Sequence, residues 1–140
     1  MKIYFAGSIT GGRGDVEIYK IIIEELKKYG EVLTEFIGDE SLSSNGEGEL
    51  NDKFIHDRDL NWLFSAGLVV AEITTPSLGV GYEIGRALEN GKKILCLYRQ
   101  ENGRRISAMI KGAPGITVFN YTGIEHLKQI LKDFFLLRNA

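Results

Sequence analysis

Two acidic side chains lie on helical stripes that are otherwise apolar. Glu83 follows Val80 by three residues, while Asp59 follows Ile55 by four and precedes Trp62 by three. Because burying an ionised carboxylate is energetically costly, such a group needs a partner or a chemical purpose. Acid–base or nucleophilic chemistry is the first hypothesis for both. The alternatives are a structural hydrogen bond for Asp59 and simple compatibility with the helix dipole for Glu83.

Glycines and hydroxyl groups gather at two places where predicted strands end. Residues 7–12, Gly-Ser-Ile-Thr-Gly-Gly, follow an apolar strand at residues 3–6. Ser77 stands at a helix N-cap position behind Pro76, with glycines at positions 79 and 81. Free backbone N–H groups at such places attract an anion, and glycine lets it approach closely. Both segments are candidates for an anion cradle, with ordinary mobile turns as the alternative.

Two common nucleotide-binding motifs are absent from these segments. The glycines at 79, 81 and 85 miss the G-x-G-x-x-G spacing of dinucleotide-binding proteins by one residue, and they lie mid-chain. The glycines at 7 and 12 have P-loop separation, but Arg-Gly follows them in place of Lys-Ser or Lys-Thr. Neither a dinucleotide fingerprint nor a kinase-type phosphate loop is therefore expected.

Short apolar strands alternate with amphipathic helices along the chain, a pattern typical of a parallel sheet covered on both faces. Strands are expected at residues 3–6, 31–34, 68–72, 93–97 and 116–119. Asp15 is the expected N-cap of the first helix, and further helices are expected near residues 50–64, 78–90, 106–110 and 124–134. We predict an α/β fold: a single three-layer, Rossmann-like (flavodoxin-like) domain over residues 1–140, with a five-stranded parallel sheet in the order 2-1-3-4-5.

This strand order places the first and third strands side by side, and ligands bind beyond the carboxyl ends of strands at such a switch point. The loop at residues 7–12 and the turn from Ser77 to Glu83 then face each other across one crevice. Tyr4 and Ser8 come within reach of this crevice from the first strand. Asp59, on the helix packed beside them, supplies a second carboxyl group.

Composition excludes several functional classes. The formal charge of −2 argues against a general nucleic-acid or membrane-surface binder, and no apolar run approaches a membrane span. Cys96, the single cysteine, lies in an apolar run, and no signal peptide precedes the first strand, so a cytoplasmic location is expected. His56 and His126 stand far apart without ligand-spaced partners, so neither a metal nor a cofactor is expected.

Two carboxyl groups in an apolar crevice, beside an anion cradle, favour glycosidic chemistry. Cleavage of an N-glycosidic bond passes through an oxocarbenium-like state, which a carboxylate stabilises or traps covalently. The second acid would assist departure of the base, and the cradle of glycines and hydroxyl groups suits a 5′-phosphate.

Several segments of the chain match one known family: YFAGSI at 4–9, GGR at 11–13, VLTE at 32–35, IH at 55–56, DL at 59–60, WL at 62–63, PSLGVGYE at 76–83, ILCL at 94–97 and SAMI at 107–110. In these segments the chain resembles the 2′-deoxynucleoside 5′-phosphate N-hydrolases, within the nucleoside 2-deoxyribosyltransferase superfamily. The resemblance runs through nearly the whole chain and is most specific between Ser77 and Glu83.

The resemblance implies hydrolysis of a deoxynucleoside 5′-monophosphate to a free base and 2-deoxyribose 5-phosphate. By it, Glu83 is the nucleophile that forms a glycosyl-enzyme, Tyr4 positions that carboxylate, and Asp59 assists at the base or activates water. Six residues would surround the sugar and phosphate: Gly7, Ser8, Ile9, Gly11, Ser77 and Gly79. Ser107 and Met109 would reach into the site of the other subunit of a homodimer.

Two positions depart from the hydrolase pattern. Thr10 stands where the pattern carries Arg, which bears on phosphate contacts, and Phe36 stands where it carries His, which bears on base preference. Two other functions stay open: a nucleoside deoxyribosyltransferase with the same nucleophile, and a nucleotide-sensing module without catalysis. Ser77 and Ser107 favour a phosphorylated substrate and hence the hydrolase.

Overall fold

The computed structural model describes residues 1–9, 12–39, 41–43, 46–100 and 104–138. Its strands pair in parallel in the order β2-β1-β3-β4-β5, which confirms the predicted fold and strand order. The strands are β1 (Lys2–Ala6), β2 (Glu31–Val32), β3 (Leu68–Glu72), β4 (Ile94–Arg99) and β5 (Ile116–Tyr121). The helices are α1 (Val16–Leu26), α2 (Asp52–Ser65), α3 (Leu78–Glu89), α4 (Ala108–Lys111) and α5 (Ile124–Arg138), with a 3-10 helix at Glu35–Gly38.

Helices cover both faces of the sheet, and the core divides accordingly into two apolar clusters. Successive strand residues point to opposite faces, so Ile3 and Phe5 pack with α1 and α5, whereas Tyr4 and Ala6 pack with α2 and α3. The residues of β3 are buried on both faces, as expected for a central parallel strand. The α2/α3 face is the one that receives the two candidate acids.

The second strand is shorter than predicted, because β2 ends at Val32 and does not continue to residue 34. Thr34 replaces the missing strand pairing with its side chain. Its Oγ1 accepts a hydrogen bond from the Phe5 N–H at 2.9 Å and donates one to the Phe5 carbonyl at 2.6 Å. At the far side of the sheet, β4 and β5 each extend two residues beyond their predicted ends.

The predicted termini of α3 are confirmed, and Asp15 stands at the predicted N-cap position of α1 without a capping hydrogen bond from its side chain. Ser77 caps α3 by accepting a hydrogen bond from the Val80 N–H, and Gly91 follows the helix with a φ of 70°. In the part of the chain that the structure describes, no helix is long and apolar enough to cross a membrane.

Candidate active site

The structure brings Tyr4, Asp59 and Glu83 together on the α2/α3 face of the sheet. Tyr4 is only 1 % exposed on β1, and its hydroxyl group interacts with the Glu83 carboxyl group closely enough to lower the pKa of that group. Glu83 lies one turn inside α3, next to the buried Ile84. The charge of Asp59, from α2, acts on both of the other groups. These are the three residues that the sequence singled out for chemistry.

The surroundings of Glu83 bring the pKa of its carboxyl group close to neutral pH. Burial of the carboxyl group raises its pKa to about 7, although the hydrogen bond from Tyr4 lowers it, and the charge of Asp59 raises it further. The residue as a whole is only half-buried, so its carboxyl group lies among protein atoms while part of the side chain stays open to solvent. A small molecule can therefore approach a carboxylate that is poorly solvated and correspondingly reactive.

The pKa values of Asp59 and Tyr4 also differ from the ordinary values of these groups. Burial raises the pKa of Asp59, while the hydrogen bond and positive charge of Arg58 lower it. Burial, followed by the charges of Glu83 and Asp59, raises the pKa of the Tyr4 phenol, which therefore stays a neutral hydrogen-bond donor. A pair of carboxyl groups with raised pKa values can divide the roles of nucleophile and acid between them.

The loop after β1 is packed tightly against α1. A side chain at Gly7 would meet the Tyr19 ring at 3.0 Å, so the loop can approach that ring only with glycine there. The Ser8 N–H donates a hydrogen bond to the Tyr19 hydroxyl at 3.0 Å, so this N–H group is already used within the protein. The Ser8 Oγ is fully buried and has no hydrogen-bond partner among the described residues.

The structure describes only some of the remaining predicted positions of this loop. Ile9 is half-buried and packs against the apolar cluster beneath α1 and α5, so its side chain serves the core. Thr10 and Gly11 lie outside the described residues. Arg13 holds the loop in place from the other side: its guanidinium group donates to the carbonyl groups of Ser8 and Asp39, at 3.3 and 2.9 Å.

The start of α3 presents the second half of the predicted anion cradle. The Ser77 Oγ accepts from the Val80 N–H at 3.3 Å, and the first two helical N–H groups, of Leu78 and Gly79, have no acceptor inside a helix. A side chain at Gly79 would meet nothing closer than the Ser77 Oγ at 3.8 Å. The described chain therefore does not require glycine at position 79. The space in front of this residue is open, so a ligand can approach the helix start.

The two loops face each other, as the strand order predicted, and a set of side chains joins them. A Cβ atom at Gly12 would lie 3.8 Å from Thr75, and the Thr75 hydroxyl donates to Asp15 Oδ2 at 2.7 Å. Arg99, at the end of β4, donates to Asp15 Oδ1 at 2.7 Å. We call Asp15, Thr75 and Arg99 the loop clamp. Sequence reasoning missed it because its members are separated by 60 and 84 positions along the chain.

Ser107 and Met109 lie on the exposed surface at the start of α4. The Ser107 Oγ accepts a hydrogen bond from the Met109 N–H at 3.2 Å and so caps this short helix. Met109 is 81 % exposed. Their predicted role across a subunit interface stays a prediction.

Arg58 and Glu47 are further residues near the site that sequence reasoning missed. Arg58 hydrogen-bonds to Asp59 and to Glu47. A signal for it was present, because Phe54 and Trp62 lie four residues before and after Arg58 on the same helix face. No group of three or more His, Cys, Asp and Glu residues suited to a metal ion occurs within the described ranges.

Comparison with known proteins places these residues in a family. The chain matches the family model described as nucleoside 2-deoxyribosyltransferase over residues 3–126. It is 62 % identical over 113 residues to the Nematostella vectensis protein named “Putative 2′-deoxynucleoside 5′-phosphate N-hydrolase 1”, covering 80 % of this chain and 77 % of the relative. It is 50 % identical over 137 residues to the 5-hydroxymethyl-dUMP N-hydrolase of Danio rerio, covering 96 % of each.

A solved structure shares the fold. The CMP N-glycosidase BcmB of Clostridium botulinum superimposes with a TM-score of 0.68 at 21 % identity, covering 96 % of this chain and 99 % of the other. The family model spans nearly the whole sheet and all the helices before α5, of which it reaches only the first turn. With the sequence identities above, this shows that the chain belongs to the nucleoside 2-deoxyribosyltransferase family.

Proposed function

We propose that this protein hydrolyses the N-glycosidic bond of 2′-deoxynucleoside 5′-monophosphates, releasing a free base and 2-deoxyribose 5-phosphate. The observation that carries the proposal is the Glu83 carboxylate, with its pKa raised to about 7, held by Tyr4 and faced by Asp59. The names of the relatives support the same reaction, since they describe N-hydrolases of deoxynucleotides.

In the first step of the proposed reaction, the Glu83 carboxylate attacks C1′ of the sugar. The bond between C1′ and the base nitrogen breaks, its electron pair leaves with the base, and the Asp59 carboxyl group supplies a proton to the base. The product on the enzyme is a glycosyl ester at Glu83. The buried Tyr4 hydroxyl orients the carboxylate and stabilises its charge before attack.

In the second step, water attacks C1′ and the ester bond to Glu83 breaks. Asp59, now ionised, takes a proton from that water, so the released sugar carries a hydroxyl group at C1′ and both carboxyl groups return to their starting states. The same residue thus serves as acid in one step and base in the next, as is usual for a retaining glycosidase.

The phosphate of the substrate is proposed to lie between the two facing loops. The open start of α3 offers the N–H groups at Leu78 and Gly79 and the hydroxyl of Ser77. The loop after β1 offers the unpartnered Ser8 Oγ, in the described part of the chain, together with Gly7 and Ile9. A contact from Gly11, which lies outside the described residues, stays a prediction. Phe36, tilted against Trp62 with ring centroids 6.1 Å apart, is proposed to lie towards the base.

A substrate panel tests the proposed function. Deoxynucleoside monophosphates, including 5-hydroxymethyl-dUMP, are incubated with the protein beside the matching ribonucleotides and unphosphorylated deoxynucleosides, and the released base is measured by chromatography. We expect release from deoxynucleotides, with much lower kcat/KM for ribonucleotides because Tyr4 leaves little room beside Glu83 for a 2′-hydroxyl. No release of base from any deoxynucleotide would overturn the proposal.

A transferase is the second candidate, because the matching family model is described as a deoxyribosyltransferase. A transferase would pass the sugar from Glu83 to another base instead of to water. Adding a free acceptor base to the panel separates the two: a new nucleotide indicates transfer, whereas 2-deoxyribose 5-phosphate alone indicates hydrolysis.

We further propose that the protein works as a homodimer in the cytoplasm, with Ser107 and Met109 reaching the partner's phosphate site. The exposed surface near the start of α3 supports this: Leu78 is 97 % exposed, and side chains at Gly81 and Gly85 would meet nothing within 4 Å of the described chain. Glycine inside a helix costs about 1 kcal/mol relative to alanine. A close-packed second subunit or a bound substrate would make use of the open surface that these glycines leave.

A further inference from the structure

Arg58 lies in a slot formed by three aromatic rings. The centre of its guanidinium group is 4.8 Å from the Trp62 ring centroid, 5.1 Å from that of Phe36 and 5.9 Å from that of Phe54. We call these three rings the aromatic slot. The Arg58 side chain is only 19 % exposed, and cation–π contacts of this kind strengthen as water is removed. The guanidinium group is therefore held in one place.

Within this slot Arg58 bridges two carboxylates. Its Nη2 lies 2.7 Å from Glu47 Oε2 and 2.9 Å from Asp59 Oδ1, and its Nε lies 3.0 Å from the same Asp59 oxygen. Both contacts to Asp59 use Oδ1, so the other carboxylate oxygen points away from the arginine. A planar guanidinium group suits such multiple contacts, which a lysine ammonium group cannot reproduce.

The pairing of Arg58 with Asp59 is unusual for a helix, because adjacent residues do not face each other on a helix surface. The Arg58 side chain must turn back towards its neighbour to make this contact. The aromatic slot and Glu47 hold the side chain there. Their contacts with Arg58 offset the conformational entropy that the side chain loses when it is fixed. Glu47 lies in the turn before α2, where its carbonyl accepts from the Leu50 N–H at 2.9 Å.

We propose that Arg58 is a positioning residue that fixes the carboxyl group of Asp59 for proton transfer, with Glu47 and the aromatic slot holding Arg58 in place. Because Asp59 is the acid and base of the proposed function, this proposal rests on that function. Arg58 does not itself touch the substrate. It fixes Oδ1 of Asp59, which leaves the second oxygen to give a proton to the base and later to take one from water.

The charged groups around Asp59 predict how its pKa changes when Arg58 or Glu47 is replaced. The groups that face it are Arg58 and His56 from α2, Glu47 from the preceding turn, Glu83 from α3 and Tyr4 from β1. Arg58 lowers the pKa of Asp59, whereas Glu47 raises it. Removing the charge of Arg58 should therefore raise that pKa, and removing the charge of Glu47 should lower it. Mere loss of structure would not move the pKa in opposite directions.

The test compares Arg58→Gln, Arg58→Lys and Glu47→Gln by their pH profiles of kcat/KM and by kcat and KM measured separately. The active free enzyme carries a proton on Asp59, so one limb of the profile reports the ionisation of Asp59. We expect it to move to higher pH in Arg58→Gln and to lower pH in Glu47→Gln. In Arg58→Gln, kcat should fall about tenfold or more while KM changes by less than about threefold, because misplacing an acid affects the chemical step more than binding. Arg58→Lys should keep the limb near its wild-type position and recover part of kcat.

Arg86→Gln is the matched control. Arg86 is also a half-buried arginine over aromatic rings, 5.5 Å from those of Phe64 and Tyr82, and it donates to the Tyr82 hydroxyl instead of a carboxylate. This variant should keep the wild-type pH profile. Asp59→Asn tests the underlying function, and full activity in that variant would remove the basis of the proposal. If Asp59→Asn is inactive but the limbs of Arg58→Gln and Glu47→Gln stay in place or move together, the role of Arg58 is overturned while the proposed function stands.

Discussion

At the scale of single residues, the ionisation of Glu83 depends on its burial and on its interaction with Tyr4. Burial makes the Glu83 carboxylate unstable in its ionised form, and the Tyr4 hydroxyl partly offsets this by donating a hydrogen bond to it. The net pKa of about 7 means that a moderate change in either contribution alters how much ionised Glu83 carboxylate is present at neutral pH. The carboxylate is thus kept available without being strongly solvated.

A Tyr4→Phe variant tests this balance. Because the hydrogen bond lowers the pKa of Glu83, removing it should raise that pKa, and the acid limb of kcat/KM should move to higher pH. Activity at pH 6 should fall about tenfold or more, since a hydrogen bond to a charged group contributes roughly 1.5–3 kcal/mol. Tyr29→Phe is the control, because Tyr29 stacks on Phe135, at 4.0 Å between ring centroids, within the other face's cluster. An acid limb that stays in place in Tyr4→Phe would contradict the account.

The two acids could be found from sequence, but the contacts that hold their arginine partner in place could not. Glu83 and Asp59 stand out because carboxylates on apolar stripes need an explanation. The aromatic residues four positions before and after Arg58 indicate only that its side chain covers part of α2. Its importance depends on Phe36 and Glu47, which reach it from outside the helix and cannot be placed without the tertiary fold.

At the scale of elements, the loop clamp links the α1 start to the α3 start. Asp15 receives hydrogen bonds from Thr75 and Arg99, so a residue of the β1–α1 connection is joined to the β3–α3 connection and to the end of β4. The clamp lies beside Tyr121, whose hydroxyl accepts from Arg99 Nη1 at 3.4 Å and donates to the buried Glu72. These contacts join the two connections that flank the predicted crevice.

Removing the clamp should affect both stability and substrate binding. Asp15→Ala should lower the free energy of unfolding, measured in urea, by about 2–3 kcal/mol, because it removes hydrogen bonds to a charged, largely buried group. The KM for the deoxynucleotide should rise about threefold or more as the loops separate. Asp133→Ala, which removes an exposed aspartate bonded to Gln129 on α5, should change neither quantity. An unchanged KM in a folded Asp15→Ala protein would show that the clamp does not position the loops.

The positions of the elements were largely predictable, whereas their ends depended on long-range contacts. Alternating apolar strands and amphipathic helices define the sheet order, since right-handed crossovers leave few alternatives. The early end of β2 depends on Thr34 bonding to Phe5, and the role of Asp15 depends on residues far along the chain. A local capping preference was therefore overridden by tertiary partners that no local pattern reveals.

At the scale of the whole molecule, the exposed apolar residues of α3 and α4 bear on the proposed homodimer. Leu78 and Met109 are almost fully exposed, and Ser107 lies beside Met109 on the surface. Large exposed side chains of this kind mark contact surfaces when they cluster. In a two-fold dimer, Ser107 of each subunit would serve the phosphate site of the other.

Mixed dimers test this sharing. A dimer with one Glu83→Ala subunit and one Ser107→Ala subunit contains one site damaged twice and one intact site. We expect co-expressed, purified mixed dimers to show about half the wild-type activity, above either variant alone. Mixed dimers of Glu83→Ala with Glu83→Gln should show no recovery. No recovery in verified Glu83→Ala/Ser107→Ala dimers would mean that Ser107 does not complete the partner's site.

The most direct measurement concerns the covalent intermediate on Glu83. The wild-type protein is mixed with its fastest deoxynucleotide substrate, quenched in acid within a turnover, digested and analysed by mass spectrometry. We predict a 2-deoxyribose 5-phosphate adduct on the peptide that contains Glu83, and neither adduct nor release of base in Glu83→Gln. An adduct on another residue, or near-wild-type turnover by a folded Glu83→Gln protein, would contradict the assignment of Glu83 as the nucleophile.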